Sequence, residues 1–434
     1  MLKIRRVAFV PLATVGLLSF QRENVASQVT SQSARAQDPG VRSGADAGNP
    51  LAGLTPQENE YFLAGKAEFE EEDTVAEGLG PRMNLDSCAG CHSQPAIGGT
   101  SPATNPQVAM ATKDGGTDAV PSFITADGPV REARFVQNRD GTADGGVHAL
   151  FTIGGRTGAT GSCNLTQPDF ETQLANRNVI FRIPTPTFGL GLVEQVADSA
   201  ILANMAKSGS AKRAFGIHGR ANFAVAGRTV SGQTNNNGND GTIARFGWKA
   251  QNKSLLMFAG EAYNVEMGVS NELFQTERDE TVNCLYASHP NSTTNMEAGS
   301  TIDAVSAIEK FSIFMRLLAP PVPSPDTPGG ARSISNGSRI FTTAGCAYCH
   351  TPSFTTGNSA VAALRNQPVN LFSDLLVHDM GVGLADRISQ GQAGPREFRT
   401  APLWGLGQRN ANAVIENFQD LSEDLKRDLL NFQR

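Results

Sequence analysis

The stretches Cys88-Ala89-Gly90-Cys91-His92 and Cys346-Ala347-Tyr348-Cys349-His350 decide how the rest of the chain is read. Both are Cys-x-x-Cys-His, the spacing at which haem is attached covalently. Two thiols three positions apart lie on one side of a helical turn, within reach of both vinyl groups of one porphyrin, and the imidazole that follows meets the iron. The other uses of such a pair fit less well. A zinc site needs further Cys or His at matching spacing, which neither motif has nearby, and a redox dithiol does not need the histidine. Cys88, Cys91 and His92 are therefore candidate attachment residues and axial ligand of one haem c group, and Cys346, Cys349 and His350 those of a second.

The flanks of the motifs repeat too. Thr55-Pro56-Gln57-Glu58 reads as a capping box with Pro at the first helical position, opening a helix to about Glu71 that carries Gly65-x-x-x-Phe69. Before the second motif, Ile334 to Thr342 carries Gly337-x-x-x-Phe341. In small c-type cytochrome domains such a Gly/aromatic helix precedes the motif, so that a later helix can cross it closely. A last helix, Ala413 to Phe432, spaces Val414, Phe418, Leu421, Leu425 and Leu429 for packing back on the second domain. The Pro-rich run 320–330 reads as a linker. The expected architecture is mainly α, two tandem cytochrome c-like domains with long loops and minor β-ribbons: an N-terminal domain over 37–319 and a C-terminal one over 331–434. Ser300 and Asp303 are candidates to cap a helix reaching about Leu318. From Gly98 to Gly299 the chain is rich in Gly, Thr and Asn, with strand-like runs at Ala149 to Ile153 and Val179 to Ile183, and Gly219 to Thr242 reads as its most mobile portion.

Composition sets the outer bounds. With 39% hydrophobic residues and 45 glycines among 434, the chain is a globular protein, not a disordered one. Its net charge is −6, and the first 36 residues hold five bases (Lys3, Arg5, Arg6, Arg22, Arg35) against Glu23, so the remainder is more acidic still. Nucleic acid is not an expected partner for such a body. Met1 to Arg6 is a basic head, Val7 to Phe20 an apolar run, and Ala34-Arg35-Ala36 a small-residue end: the order of a secretory signal over 1–36, with cleavage after Ala36 or near Ala26. The apolar run falls short of the ~20 residues that span a bilayer, which makes a retained anchor the weaker reading. A periplasmic or otherwise exported protein with no membrane span after processing is expected. Cys163 and Cys284 belong to neither motif; in an oxidising compartment such a pair tends to become a disulfide, the alternative being two buried thiols.

The sixth iron ligand decides between electron transfer and chemistry. A His or Met there makes a carrier; an open position admits peroxide or dioxygen. His378-Asp379-Met380-Gly381 offers both ligand types after the second motif, so His378 or Met380 is a candidate distal ligand of that haem. His148, His218 and His289 are more ordinary histidines, although His148 or His218 is also in a position to face the first haem. Trp248 is either a relay for electrons between haems or a core ring. Glu261 and Glu266-Met267 fall on an expected helix, and Glu266 is either an acid–base group that moves a proton during O–O cleavage or a solvated carboxylate.

Six longer stretches carry a resemblance: Gly78 to Asn84 running into Ser87 to Pro95; Phe181 to Pro186; Arg245 to Ala250; Leu376 to Gly381; and Phe398 to Gly407. They resemble the bacterial di-haem oxidoreductase family, whose members are also labelled thiol oxidoreductases or peroxidases. That family is similar to di-haem cytochrome c peroxidases and to the di-haem enzymes that oxidise amine-dehydrogenase precursors or cleave rubber. The resemblance implies two haem c groups, an N-terminal haem where peroxide or oxygen reacts, a C-terminal haem that passes electrons, a small redox protein as donor or acceptor, and a small-molecule oxidant. Glu266-Met267 resembles the catalytic Glu-Met pair of the peroxidases, but the glutamine and proline expected just upstream are not evident in Ser254 to Asn264. Family members also continue after the Trp404 segment with further histidines, whereas here Arg409 runs directly into Asn410. A non-catalytic carrier and a truncated haem-binding member are the rival readings.

Overall fold

A capping box opens the first long helix. The computed structural model describes residues 47–405 apart from 224–228, 231–232, 235–241, 286–289 and 323–329. In it, Glu58 N–H donates to Thr55 Oγ1 at 3.2 Å and Thr55 N–H donates to the Glu58 carboxylate at 2.8 Å. With Pro56 pre-setting φ, helix α1 runs Pro56–Glu70. The other helices that frame the site are α2 Cys88–Cys91, α3 Leu255–Met267, α4 Ala307–Leu317 and α5 Gly330–Thr343.

Helix α1 buries Phe62, Gly65 and Phe69, and its partner is α4. The Phe69 and Phe314 ring centroids lie 4.9 Å apart, those of Phe62 and Phe314 5.4 Å. Gly65 makes the crossing possible: a Cβ there would sit 2.5 Å from the Lys310 carbonyl oxygen. The crossing carries Phe69 to within 6.1 Å of the His92 ring, edge-on. The sequence expectation of one helix from Ser300 to Leu318 is met differently. Ser300 Oγ caps a short helix, Thr301–Ala304, the chain extends at Val305, and a second capping box, Ser306 with Glu309, starts α4. Two adjacent N-cap signals give two helices.

The expectation of a mainly α protein made of two tandem cytochrome c-like domains is corrected by the structure: of the described residues 32% are helical and 13% lie in strands, with 11 helices among them. The Gly/Thr/Asn-rich stretch does not wrap as bare loop. It turns at glycines and pairs with distant segments in strands of two to four residues. Strand β1, Glu132–Phe135, lies between β2, Val147–His148, and β3, Val179–Arg182, all antiparallel, with Glu132 opposite Arg182 and Ala133 opposite His148. Beyond the second motif, β4, Val377–Asp379, pairs with β5, Glu397–Arg399, with His378 opposite Phe398. Of the run Ala149 to Ile153 only Phe151–Thr152 is a strand, paired with Arg82–Met83. The described residues all fall in one unit, Gly40–Arg434. Cys163 and Cys284 form a disulfide, which removes the alternative of two free thiols. Among the described residues no helix is long and apolar enough to cross a membrane.

Several expectations lie outside the described residues: the signal segment 1–36, most of the linker 320–330, most of Gly219 to Thr242, His289, the junction after Arg409 and the last helix from Ala413 to Phe432.

Candidate functional site

Ser87 caps the one-turn helix α2, its Oγ accepting from Gly90 N–H at 3.1 Å, and the turn ends as His92 N–H donates to the Cys88 carbonyl at 3.0 Å. That turn brings Cys88, Cys91 and His92 onto one wall of an open cavity. Phe69 from α1, Phe258 and Val265 from α3, and Phe311 and Met315 from α4 give it apolar sides, while Arg131, Arg134 and Arg182 stand on its β1–β3 side. Apolar faces with cationic groups at one edge suit a flat porphyrin that carries carboxylates on its rim.

His92 is set up as a ligand. Its Nδ1 lies 2.9 Å from the Gly99 carbonyl oxygen, which fixes the proton on Nδ1 and leaves the lone pair on Nε2. Burial holds this imidazole below its ordinary value, against the raising effect of the Gly99 and Thr185 carbonyls, so it is neutral at pH 7. Burial also pushes the Cys88 and Cys91 thiols far above their ordinary range, so neither is a thiolate in this setting. A reactive dithiol needs the opposite environment.

Glu266 and Trp248 line the same cavity. Ser254 caps α3 and Gly268, in the left-handed region at φ +80°, ends it, so Glu266 sits in the last turn. There Asn84 Nδ2 donates to its carboxyl oxygen at 2.7 Å, and Asn84 N–H donates to its backbone carbonyl. Burial, followed by the charge of Glu132 beside it, holds the Glu266 carboxyl well above the usual carboxylate range. Glu261, the neighbouring acid on α3, lines the cavity too and is buried against Asn252. Trp248 is 37% exposed, with the Arg182 guanidinium 5.9 Å from its ring centroid. Its backbone carbonyl accepts from Arg399 N–H on β5.

Glu132, Arg134 and Arg182 were not singled out from the sequence. The signal was there in part, since Glu132-Ala133-Arg134-Phe135 alternates charged and apolar residues with the period of a strand. That period puts Glu132 and Arg134 on one face, where they form an ion pair, and the β1–β3 register puts Arg182 opposite Glu132. Arg182 is held from behind by Gln390 at 2.5 Å and Asp386 at 3.0 Å.

The second motif is held in the same way but less enclosed. Gly345, at φ +88°, ends α5, and His350 N–H donates to the Cys346 carbonyl at 2.8 Å. His350 Nδ1 lies 2.9 Å from the Phe372 carbonyl oxygen, so here also Nε2 keeps the lone pair. Phe372 has φ +53°, a conformation costly for a bulky residue, and Asp374 N–H ties the segment to the Cys349 carbonyl at 2.9 Å. His378 is buried with Nδ1 at 3.9 Å from Cys349 Sγ and Nε2 at 2.9 Å from Asp374. Burial lowers its pKa, but Asp374 and Cys349 outweigh that and carry it up to about 10. Met380, two residues on, is 47% exposed. His148 is stacked on Phe135 at 3.6 Å between centroids and bonded to Asp144 at 2.8 Å. The structure thus gathers Cys88, Cys91, His92, Trp248 and Glu266 at one cavity and His378 beside Cys349 and His350 at another place, with Met380 turned outward.

A protein-family model described as "Di-haem oxidoreductase, putative peroxidase" matches residues 158–418, more than half of the chain. The match takes in Trp248, Glu266, the second motif, His378 and Met380, and begins after the first motif. No curated protein and no solved structure matches the chain.

Proposed function

Since the chain belongs to the di-haem oxidoreductase family, we propose that it is an exported c-type member in which the two haems have different tasks. Cys88 and Cys91 would attach the haem that serves the oxidant, with His92 binding its iron, and Cys346 and Cys349 would attach the one that serves a small redox protein, with His350 binding its iron. When bound, haem supplies the iron at which an oxidant such as peroxide is reduced and through which electrons pass. The chain's own residues do the rest. The Gly99 and Phe372 carbonyls orient the two imidazoles. The apolar sides of the first cavity exclude water from one face, and Glu266 carries a proton at its carboxyl oxygen for delivery to an oxygen of the oxidant. Trp248 stands between the first cavity and β5, whose partner strand β4 bears His378 next to Cys349, and this supports a relay role. A basic N-terminal head before an apolar run and the Cys163–Cys284 disulfide support export to the periplasm.

One observation carries the reading: the His92 imidazole, the Glu266 carboxyl and Trp248 line one cavity. The test is a low-temperature EPR spectrum of the oxidised protein, with cyanide titration. One high-spin and one low-spin iron, with cyanide converting the former, is the expected result. Two low-spin irons that ignore cyanide would make the protein a carrier. Less than two equivalents of haem retained after denaturation and solvent extraction would remove the covalent assignment.

A further inference from the structure

Glu266 does not stand alone on the cavity wall. Glu132 on β1 and Glu266 on α3 are joined side chain to side chain by a hydrogen bond, and both line the space that His92 enters. Two carboxyl groups make such a bond only when one of them carries a proton. Their neighbours decide which. Glu132 forms an ion pair with Arg134 and faces Arg182 across the β1–β3 register, whereas Glu266 accepts from the neutral amide of Asn84.

We propose that Glu132 is a positioning residue for Glu266: the pair holds one proton, kept on Glu266, while Arg134 and Arg182 keep the accompanying negative charge on Glu132. The proposal rests on the reading that Glu266 serves a bound oxidant. Electrostatics agree. Although Glu132 is buried, which raises its pKa, Arg134 and Arg182 overcome this and hold it below the usual carboxylate range, while burial and the charge of Glu132 hold Glu266 well above it. The other charges that face the pair are Arg278, bonded to the Val265 and Val147 carbonyls, Glu261 on α3, and Asp144 near Arg278. Asp386, behind Arg182, and Arg131, on the cavity wall, complete the charged surroundings. In the step, the Glu266 O–H bond breaks and an O–H bond forms on an oxygen of the peroxide. The pair, now doubly negative, takes one proton back from water through the open mouth. Glu132 touches no reacting atom; its charge makes Glu266 a full reservoir at neutral pH instead of an ionised carboxylate.

The experiment is a pH titration of the holoprotein by infrared difference spectroscopy, following the stretch of a protonated carboxyl. E266Q identifies the band by abolishing it. In the wild type the band persists through neutral pH. In E132Q, which removes the like charge and frees Arg134 to act on Glu266, its midpoint falls by at least one pH unit, a tenfold or greater loss of proton affinity. E132D, which keeps the charge, retains the band at neutral pH and keeps the proposal testable if E132Q does not fold. Peroxide turnover is followed in parallel over the same pH range. A midpoint unchanged in E132Q, a wild type without an E266Q-sensitive band at pH 7, or loss of the band in E132D overturns the pairing, whatever the turnover. A shifted midpoint in a protein that turns over no peroxide upholds the pairing and overturns only the peroxidase reading.

Discussion

His92 and His350 are gripped alike, each by its Nδ1 on a backbone carbonyl 2.9 Å away and each after a Cys-x-x-Cys turn closed by its own N–H. Their surroundings differ. The first motif is walled by α1, α3, α4 and the β1–β3 sheet and faces a pair of carboxyls. At the second, Cys346 is exposed and no residue of the preceding helix α5 is buried among the described residues. Asp374, whose N–H is bonded to the Cys349 carbonyl, has its carboxylate bonded to His378. The five-residue motif therefore sets the orientation of its histidine and leaves the surroundings to the rest of the fold. Among the described residues the first motif faces a buried carboxyl pair, while the second has the imidazole of His378, itself bonded to Asp374, beside Cys349.

The sharpest way to break this comparison is to remove the anchors. C88A/C91A and C346A/C349A should each lose one of two covalently bound haems, measured as haem per chain after denaturation. Peroxide turnover should vanish in the first variant, and reduction by an external donor should fail in the second. Retention of turnover in C88A/C91A would reverse the assignment of tasks. Next in size, E266Q should slow turnover by about 10²–10⁴-fold while leaving the second haem's reduction by its donor unchanged, which stopped-flow spectroscopy would separate.

A smaller effect is confined to the first region. Asp73 lies beside Cys88 and shares a hydrogen bond with Tyr263. Burial, only partly opposed by Tyr263, raises it from the ordinary 3.8 to about 7. Between those values the unfolded chain gives up the proton before the folded one does, so stability is lost as pH rises through that window and levels off above it. D73N should remove this slope, gaining about 1–3 kcal/mol at pH 8 relative to pH 4 in chemical denaturation. The smallest contrast sets the two helix glycines against each other. A Cβ at Gly65 meets the Lys310 carbonyl, whereas at Gly337 nothing described lies within 4 Å. G65A should cost about 1–3 kcal/mol; G337A should be neutral or stabilise by about 0.5–1 kcal/mol. Equal penalties would mean that α5 is crossed as closely as α1.

The features legible in the sequence are those written over a few consecutive residues: the two motifs, the Thr55–Glu58 box, the glycine and aromatic of α1, and Glu266 and Trp248. Those that were not legible depend on pairing between distant segments. Glu132 meets Arg182 only through the β1–β3 register, and Glu266 meets Glu132 only because the end of α3 and β1 line the same cavity. The fold class failed for the same reason. Strands such as Arg82–Met83 with Phe151–Thr152, or Val377–Asp379 with Glu397–Arg399, are too short to display a period of two, so the chain between the helices read as loop.

The Cys163–Cys284 bond spans 121 positions. The loop it closes contains Arg182, Trp248 and Glu266 and leaves out the first motif and Glu132. By chain-entropy reasoning, a closure of that length restrains the unfolded chain by about 5 kcal/mol. Reduction would then lower the stability of the whole fold by up to that amount. Two faults that look identical in an activity assay, a missing cofactor and an unfolded chain, should therefore separate in a thiol-reducing buffer, where thioether-held colour remains and the turnover does not.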